Sequence, residues 1–154
     1  MADIALATAA RVYPITGVGN GHEQYSFEAA ERINQGQCFR IDTTTGKATL
    51  ANGTVVAEAA QSSAGVYNSQ LYIAIDGARQ AGNAVTGVKY ALLDGYVLDT
   101  LAYGAPVYLS DTDGTLGTTA GTVSTLIGRV QAVPFTGTPS GADKALKVNC
   151  PPST

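Results

Sequence analysis

Tryptophan is absent from this chain of 154 residues, and histidine occurs only once. A lone histidine cannot build a zinc centre, and no cysteine pair or acidic residue stands at ligand spacing from His22. Nor does it have the nucleophile or orienting acid that a catalytic role demands; the adjacent Glu23 reads as a solvated loop neighbour. Charge is scarce as well. Asp, Glu, Lys and Arg make up 14% of the chain, against about 25% in an ordinary globular protein. The nine Lys and Arg are scattered and the net charge is −3. A nucleic-acid binder gathers cations into a stripe that neutralises phosphates. None is present, so nucleic acid is excluded as the expected partner, and an anionic membrane surface with it. No apolar run approaches the roughly 18 residues of a membrane span. The start, MADIALATAARVYPITG, has an acid at position 3 and no charged n-region followed by a long apolar core. The expectation is a protein of a reducing cytosol, whose two cysteines, Cys38 and Cys150, are free thiols and not a bridge.

Catalytic punctuation is missing too. There is no G-x-S-x-G elbow and no G-x-x-x-x-G-K-[ST] phosphate loop. The run Gly17-Val18-Gly19-Asn20-Gly21 is not a dinucleotide fingerprint. No catalytic residue, cofactor or metal site is indicated, and the chain is not expected to be an enzyme. Cys38 shares a strand face with Arg40 and reads as a half-exposed structural cysteine. Asn52-Gly53-Thr54 fits a glycosylation sequon but reads better as a turn.

What the chain does have is glycine, small polar residues and short alternating stretches. Phe39 and Ile41 alternate with Cys38, Arg40 and Asp42. Leu71, Ile73 and Ile75 alternate with Tyr72 and Ala74. Val88, Tyr90 and Leu92 alternate with Lys89 and Ala91; Val107 and Leu109 flank Tyr108. Gly128, Val130 and Ala132 alternate with Arg129 and Gln131, and Leu146, Val148 and Cys150 with Lys147 and Asn149. This period of two is the mark of half-buried strands. Asp94-Gly95, between Leu93 and Tyr96, has the form of a two-residue hairpin turn. Helix-forming runs are limited to EAAERI (28–33) and VAEAAQ (56–61), each too short to stand alone. The expected fold is all-β, a compact antiparallel β-barrel or β-sandwich with at most one or two short helical turns. Residues 1–25 read as an N-terminal arm with a Gly-rich hinge, 26–150 as the β-rich body, and 151–154 as a tail.

An internal echo runs through the body. INQGQCFRIDTTTGKATL (33–50) can be laid on LAYGAPVYLSDTDGTLGT (101–118), so that Gly36 meets Gly104, Thr44 meets Thr112 and Gly46 meets Gly114. The echo decides the reading of Asp111-Thr112-Asp113-Gly114, which looks like the start of a calcium loop. A calcium loop of the EF-hand type needs Gly at position 6 and Glu at 12, and here Gly falls at 4 and Thr122 at 12. The two copies share small polar residues and a closing Gly, which is the chemistry of a tight turn.

The run ERINQGQCFRIDTTTGKATLA, with its acid, Gly, strand and D-x-x-T-G-K-type turn, resembles the opening of small tailed-phage capsid cement (head decoration) proteins. YGAPVYLSDTDGTLGTTAGTVSTLIGRVQAV is similar to their second half. The resemblance covers about residues 31–133. It implies a structural virion protein on the outer surface of the capsid, assembled in the host cytoplasm. Its implied partners are the major capsid protein and itself, as a homotrimer in preference to a dimer. Ile4, Leu6, Val12, Tyr13 and Ile15 of the arm, and Tyr72 on the strand face opposite Leu71 and Ile73, are the candidate capsid or subunit contacts. A phage fibre or host-attachment module is the alternative, since single pieces such as VYLSD also occur there.

Overall fold

The computed structural model describes residues 3–6, 12–14, 23–55, 59, 70–133 and 144–150. These form ten strands: β1 (Tyr13–Pro14), β2 (Glu23–Glu28), β3 (Cys38–Ile41), β4 (Ala48–Leu50), β5 (Leu71–Asp76), β6 (Ala84–Asp94), β7 (Pro106–Leu109), β8 (Leu116–Gly117), β9 (Leu126–Ala132) and β10 (Lys144–Asn149). Every strand pair is antiparallel, in the order β4-β3-β5-β6-β10-β9-β7-β8. No helix occurs among the described residues. The all-β expectation holds, and the sheet curls round one core as a barrel or sandwich sheet does. EAAERI is not helical: Glu28 ends β2, and Ala29 and Ile33 make isolated bridges to Ala48 and Ala78. VAEAAQ lies outside the described residues except for Ala59.

β6 is the hub. Val88 pairs with both Gln24 and Ile73, Tyr90 with both Glu23 and Asn149, and Leu93 with both Pro14 and Leu146. A residue with two partners holds them on opposite edges. β2 and β1 therefore share one edge of β6, while β5 and β10 share the other. One strand thus feeds two lobes, β5-β3-β4 from its first half and β10-β9-β7-β8 from its second. A bulge interrupts the pairing of β2 with β6. Glu23 and Gln24 of β2 face Tyr90 and Val88 of β6, which leaves Lys89 as the extra residue. A bulge resets which face later side chains take. Val88 points into the main core, and after the bulge Ala91 and Leu93 do, while Tyr90 is 36% exposed. The expected Val88–Tyr90–Leu92 face is therefore broken after its first member.

The main core lies between the lobes and contains Cys38, Leu71, Ile73, Val88, Leu93, Val107, Leu109, Ile127, Val130, Leu146, Val148 and Cys150. A second cluster covers the other face of the first lobe: Ala29, Ile33, Phe39, Ala48, Tyr72, Ala74, Ala78 and Val85. Strands β3 and β5 are consequently buried on both faces, and the half-exposed Cys38 expected from alternation is in fact fully buried. Phe39 stacks on Tyr72 with centroids 5.5 Å apart. Gly87 lies beneath them, and a Cβ there would collide with the Phe39 ring. A strand-interior glycine marks this kind of close approach. In the second lobe Lys147 and Asn149 face solvent, as the β10 alternation predicts. In β9, Arg129 and Gln131 are exposed as expected, but so is Ala132.

Asp94-Gly95 is not a hairpin. Gly95 does take a positive φ of 118°, yet β6 pairs with β1, β2, β5 and β10, and the chain beyond the turn does not return along it. Tyr96 instead bridges Leu6, and its hydroxyl donates to the Gly36 carbonyl at 2.6 Å. The described parts of residues 1–25 are packed on the body. Ile4 and Val12 enter the main core, and the Ile4 N–H donates to the Leu116 carbonyl. The Gly17–Gly21 hinge and Ile15 lie outside the described residues.

Candidate functional site

The echo in the sequence is a structural equivalence. β3 and β4 form one hairpin and β7 and β8 another, with matching register: Ile41 faces Ala48 as Leu109 faces Leu116, and Arg40 faces Thr49 as Tyr108 faces Gly117. Gly36 and Gly104 have φ of 90° and 84°, and Gly46 and Gly114 have 72° and 68°. The turn bonds correspond as well. The Asp42 N–H donates to the Lys47 carbonyl as Ser110 does to Thr115. The Thr44 N–H donates to Asp42 Oδ1 as Thr112 does to Ser110 Oγ. A side chain at the first turn position closing on the backbone two residues later is the reason Asp and Ser stand there. Two donors, Thr45 N–H first and Thr44 N–H second, hold the Asp42 carboxyl below its usual range.

The carboxylates of the second turn are engaged by the chain itself. Asp111 accepts from the Thr122 N–H and hydroxyl, both at 2.9 Å. Asp113 accepts from the Asn52 amide at 2.6 Å. Asp3, from the N-terminal segment, accepts from the Ser110 hydroxyl at 2.6 Å and the Thr112 hydroxyl at 3.1 Å. The Gly114 N–H donates to the Ala51 carbonyl, and its carbonyl accepts from Cys38 N–H. The turn is thus a knot joining the N-terminal segment, the end of the first hairpin and the 118–125 loop. Among the described residues, no group of three or more His, Cys, Asp or Glu comes together at metal-binding distance. Asn52-Gly53 is part of the same knot: the Gly53 N–H donates to the Ser110 carbonyl, and its own carbonyl accepts from Val123.

The two thiols are neighbours in the core. Burial, and then the nearby Cys150, push the Cys38 thiol well above its ordinary range. Burial pushes the Cys150 thiol up to about 12. Tyr96 is raised by burial and then by these two cysteines. Both thiols are therefore protonated at neutral pH and poor nucleophiles.

Of the expected contact residues, Ile4, Val12 and Tyr72 are buried, at 7%, 0% and 7% exposure. Leu6 is half-buried against the main core, and Tyr13 lies on β1 opposite Asp94. Tyr72 does face away from Leu71 and Ile73, but the aromatic cluster covers that face. What the fold leaves exposed is Tyr25 at 46%, Val55 at 52%, Tyr90, Val97 and Tyr103 at 56%. Strand alternation could not single these out, because exposure depends on which segment lies over each face. An open cavity of about 200 Å³, lined by Arg32, Asn34, Gly77 and Arg79 among others, was also illegible in the sequence. No family model matches the chain, and neither a curated protein nor a solved structure matches it.

Proposed function

We propose that this chain is a structural protein of a phage virion, which binds the outer surface of the head and braces neighbouring major capsid subunits as a homo-oligomer. The observation that carries the reading is that the resemblance and the fold fall on the same two segments. The two runs that resemble capsid cement proteins contain the two hairpins that share register and two of their turn bonds. The polar residues of the second turn serve cohesion, tying three segments to one another, which suits a bracing role. Binding several capsid subunits at once would let modest contacts multiply through effective concentration. The contacts then fall to exposed groups such as Tyr25, Tyr90 and Tyr103, because Ile4, Val12 and Tyr72 belong to the chain's own interior.

Co-sedimentation with immature and expanded heads of the parent phage tests this. Saturable binding to expanded heads, at a fixed ratio to the major capsid protein, is the expected result. Absence of binding to either form would sink the reading. The same exposed tyrosines favour the second reading, a fibre or attachment module, since aromatic rings with a hydroxyl suit a sugar or protein surface. A glycan array with a specific binder would move that reading to first place.

A further inference from the structure

The two equivalent hairpins treat the cations beside them differently. Beside the second hairpin, Lys144 and Arg129 are bound by the chain itself. Lys144 donates to the carbonyls of Leu101 at 2.6 Å and Asp99 at 3.3 Å, and lies 5.1 Å from the Tyr103 ring centre. Arg129 donates to the Gly104 carbonyl at 3.0 Å. In the first lobe the corresponding turn, 33–36, is flanked by Arg32 and Arg79. Ile33 and Ala78 exchange both backbone hydrogen bonds, at 3.0 and 2.9 Å, in an isolated antiparallel bridge. That bridge sets Arg32 and Arg79 next to each other across it, and both line the same open cavity of about 200 Å³. Arg32 gives one bond, from Nε to Asn34 Oδ1 at 3.1 Å, which orients its guanidinium. Arg79 is exposed and has no hydrogen bond or ion pair among the described residues. The neighbouring acid Glu31 makes no ion pair with them among the described residues; its Oε2 accepts from the Thr49 hydroxyl and the Leu50 N–H.

Like charges directly across a β-bridge destabilise it. A bridge that sets two guanidinium groups side by side, neither in an ion pair among the described residues, is a place for an added anion. We propose that the Arg32–Arg79 pair binds carboxylate side chains of an acidic protein segment. The planar fork of arginine matches a carboxylate in a bidentate pair. One or two such groups fit the cavity, whereas a nucleic acid needs a run of cations that this acidic chain does not supply. The inference stands for any acidic protein partner and does not depend on the virion reading.

The test is titration of hexaglutamate into the isotope-labelled full chain at low ionic strength, followed by NMR of the arginine Nε–H and backbone amide signals. Saturable shifts at Arg32, Asn34, Ala78 and Arg79 are expected. Arg32→Gln with Arg79→Gln should weaken binding about tenfold or more, given the strength of charge-assisted pairs. Lys147→Gln, which removes one positive charge on an exposed part of β10 just as Arg79→Gln alone does beside the cavity, should leave binding unchanged. Arg79→Gln alone, at a side chain that bonds to nothing described, keeps the comparison valid if the double variant folds poorly. Equal weakening by Lys147→Gln would reduce the site to diffuse charge and overturn the proposal. So would displacement of the peptide by an equal concentration of inorganic phosphate, or tighter binding of oligothymidylate than of hexaglutamate.

Discussion

Residues 33–50 and 101–118 fold into equivalent hairpins that share register and part of their turn bonding, yet they present opposite faces to the main core. Phe39 and Ile41 point into the second cluster, while their equivalents Val107 and Leu109 point into the main core. The first copy is therefore a middle layer that must be apolar on both faces. The second is an outer layer with one face in contact with solvent. Pairing and turn chemistry are properties of the hairpin. The direction in which it faces follows from β6: β5 pairs with it before Lys89 and β10 after, and the side chains of β6 change face between the two stretches. Different segments also close the two free hairpin edges: Ala29–Glu31 lies along β4, and Asp3–Ile4 lies along β8.

The sharpest way to break this comparison is to cut the outward face of each copy. Phe39→Ala removes a fully buried ring from the second cluster and should cost about 3–5 kcal/mol. Tyr108→Ala, on the outward face of the second copy, should cost about 1 kcal/mol. Chemical denaturation of both variants measures the gap, and equal losses would mean that the second cluster contributes little. Next in size is the edge of the second hairpin. Ile4→Ala should cost about 2–3 kcal/mol, because Ile4 is a core residue and not part of a free arm. Removal of residues 1–20 should then destabilise the body instead of leaving it intact, which thermal unfolding of the truncated chain would reveal.

A smaller difference separates the turns. Asp111→Ala deprives Thr122 of its acceptors and should cost about 1–2 kcal/mol. The equivalent Thr43→Ala lies at an exposed position and should stay within about 0.5 kcal/mol of the parent. The smallest effect is electrostatic. The folded-state lowering at Asp42 means its contribution is fully present above the ordinary aspartate range and is lost as pH falls through the lowered folded value. NMR amide signals of Thr44 and Thr45 should shift together in that acidic window. The Val130 amide, whose acceptor is the Ala105 carbonyl, serves as the internal reference. A turn that titrates at the unshifted aspartate value would show that these two bonds do not form in solution.

Much of the strand pattern was legible because it is local. Alternation in 107–109 and 146–150 and the turn residues around Gly46 and Gly114 report backbone preferences that need no distant partner. The Asp94-Gly95 signal failed for the complementary reason. A glycine can relieve a positive φ at any corner, and only long-range pairing decides whether the chain doubles back. Tyr72 was placed on the correct face, but alternation cannot tell that a second apolar layer covers it. The Arg32–Arg79 pair was invisible because it is made by a bridge between segments far apart in the chain.

The sequence by itself determined the all-β class, the repeated hairpin and its turn chemistry, since these rest on a period of two and on residues that close turns with their own side chains. Only the tertiary structure decided which face of each hairpin is inside, that Ile4 and Val12 of the N-terminal segment belong to the core, and which cations are left without an ion pair among the described residues. Those outcomes depend on β6 holding four neighbours on two edges and changing face at one bulge. Such a choice is made by the packing of the whole chain and leaves no mark on any short stretch of it.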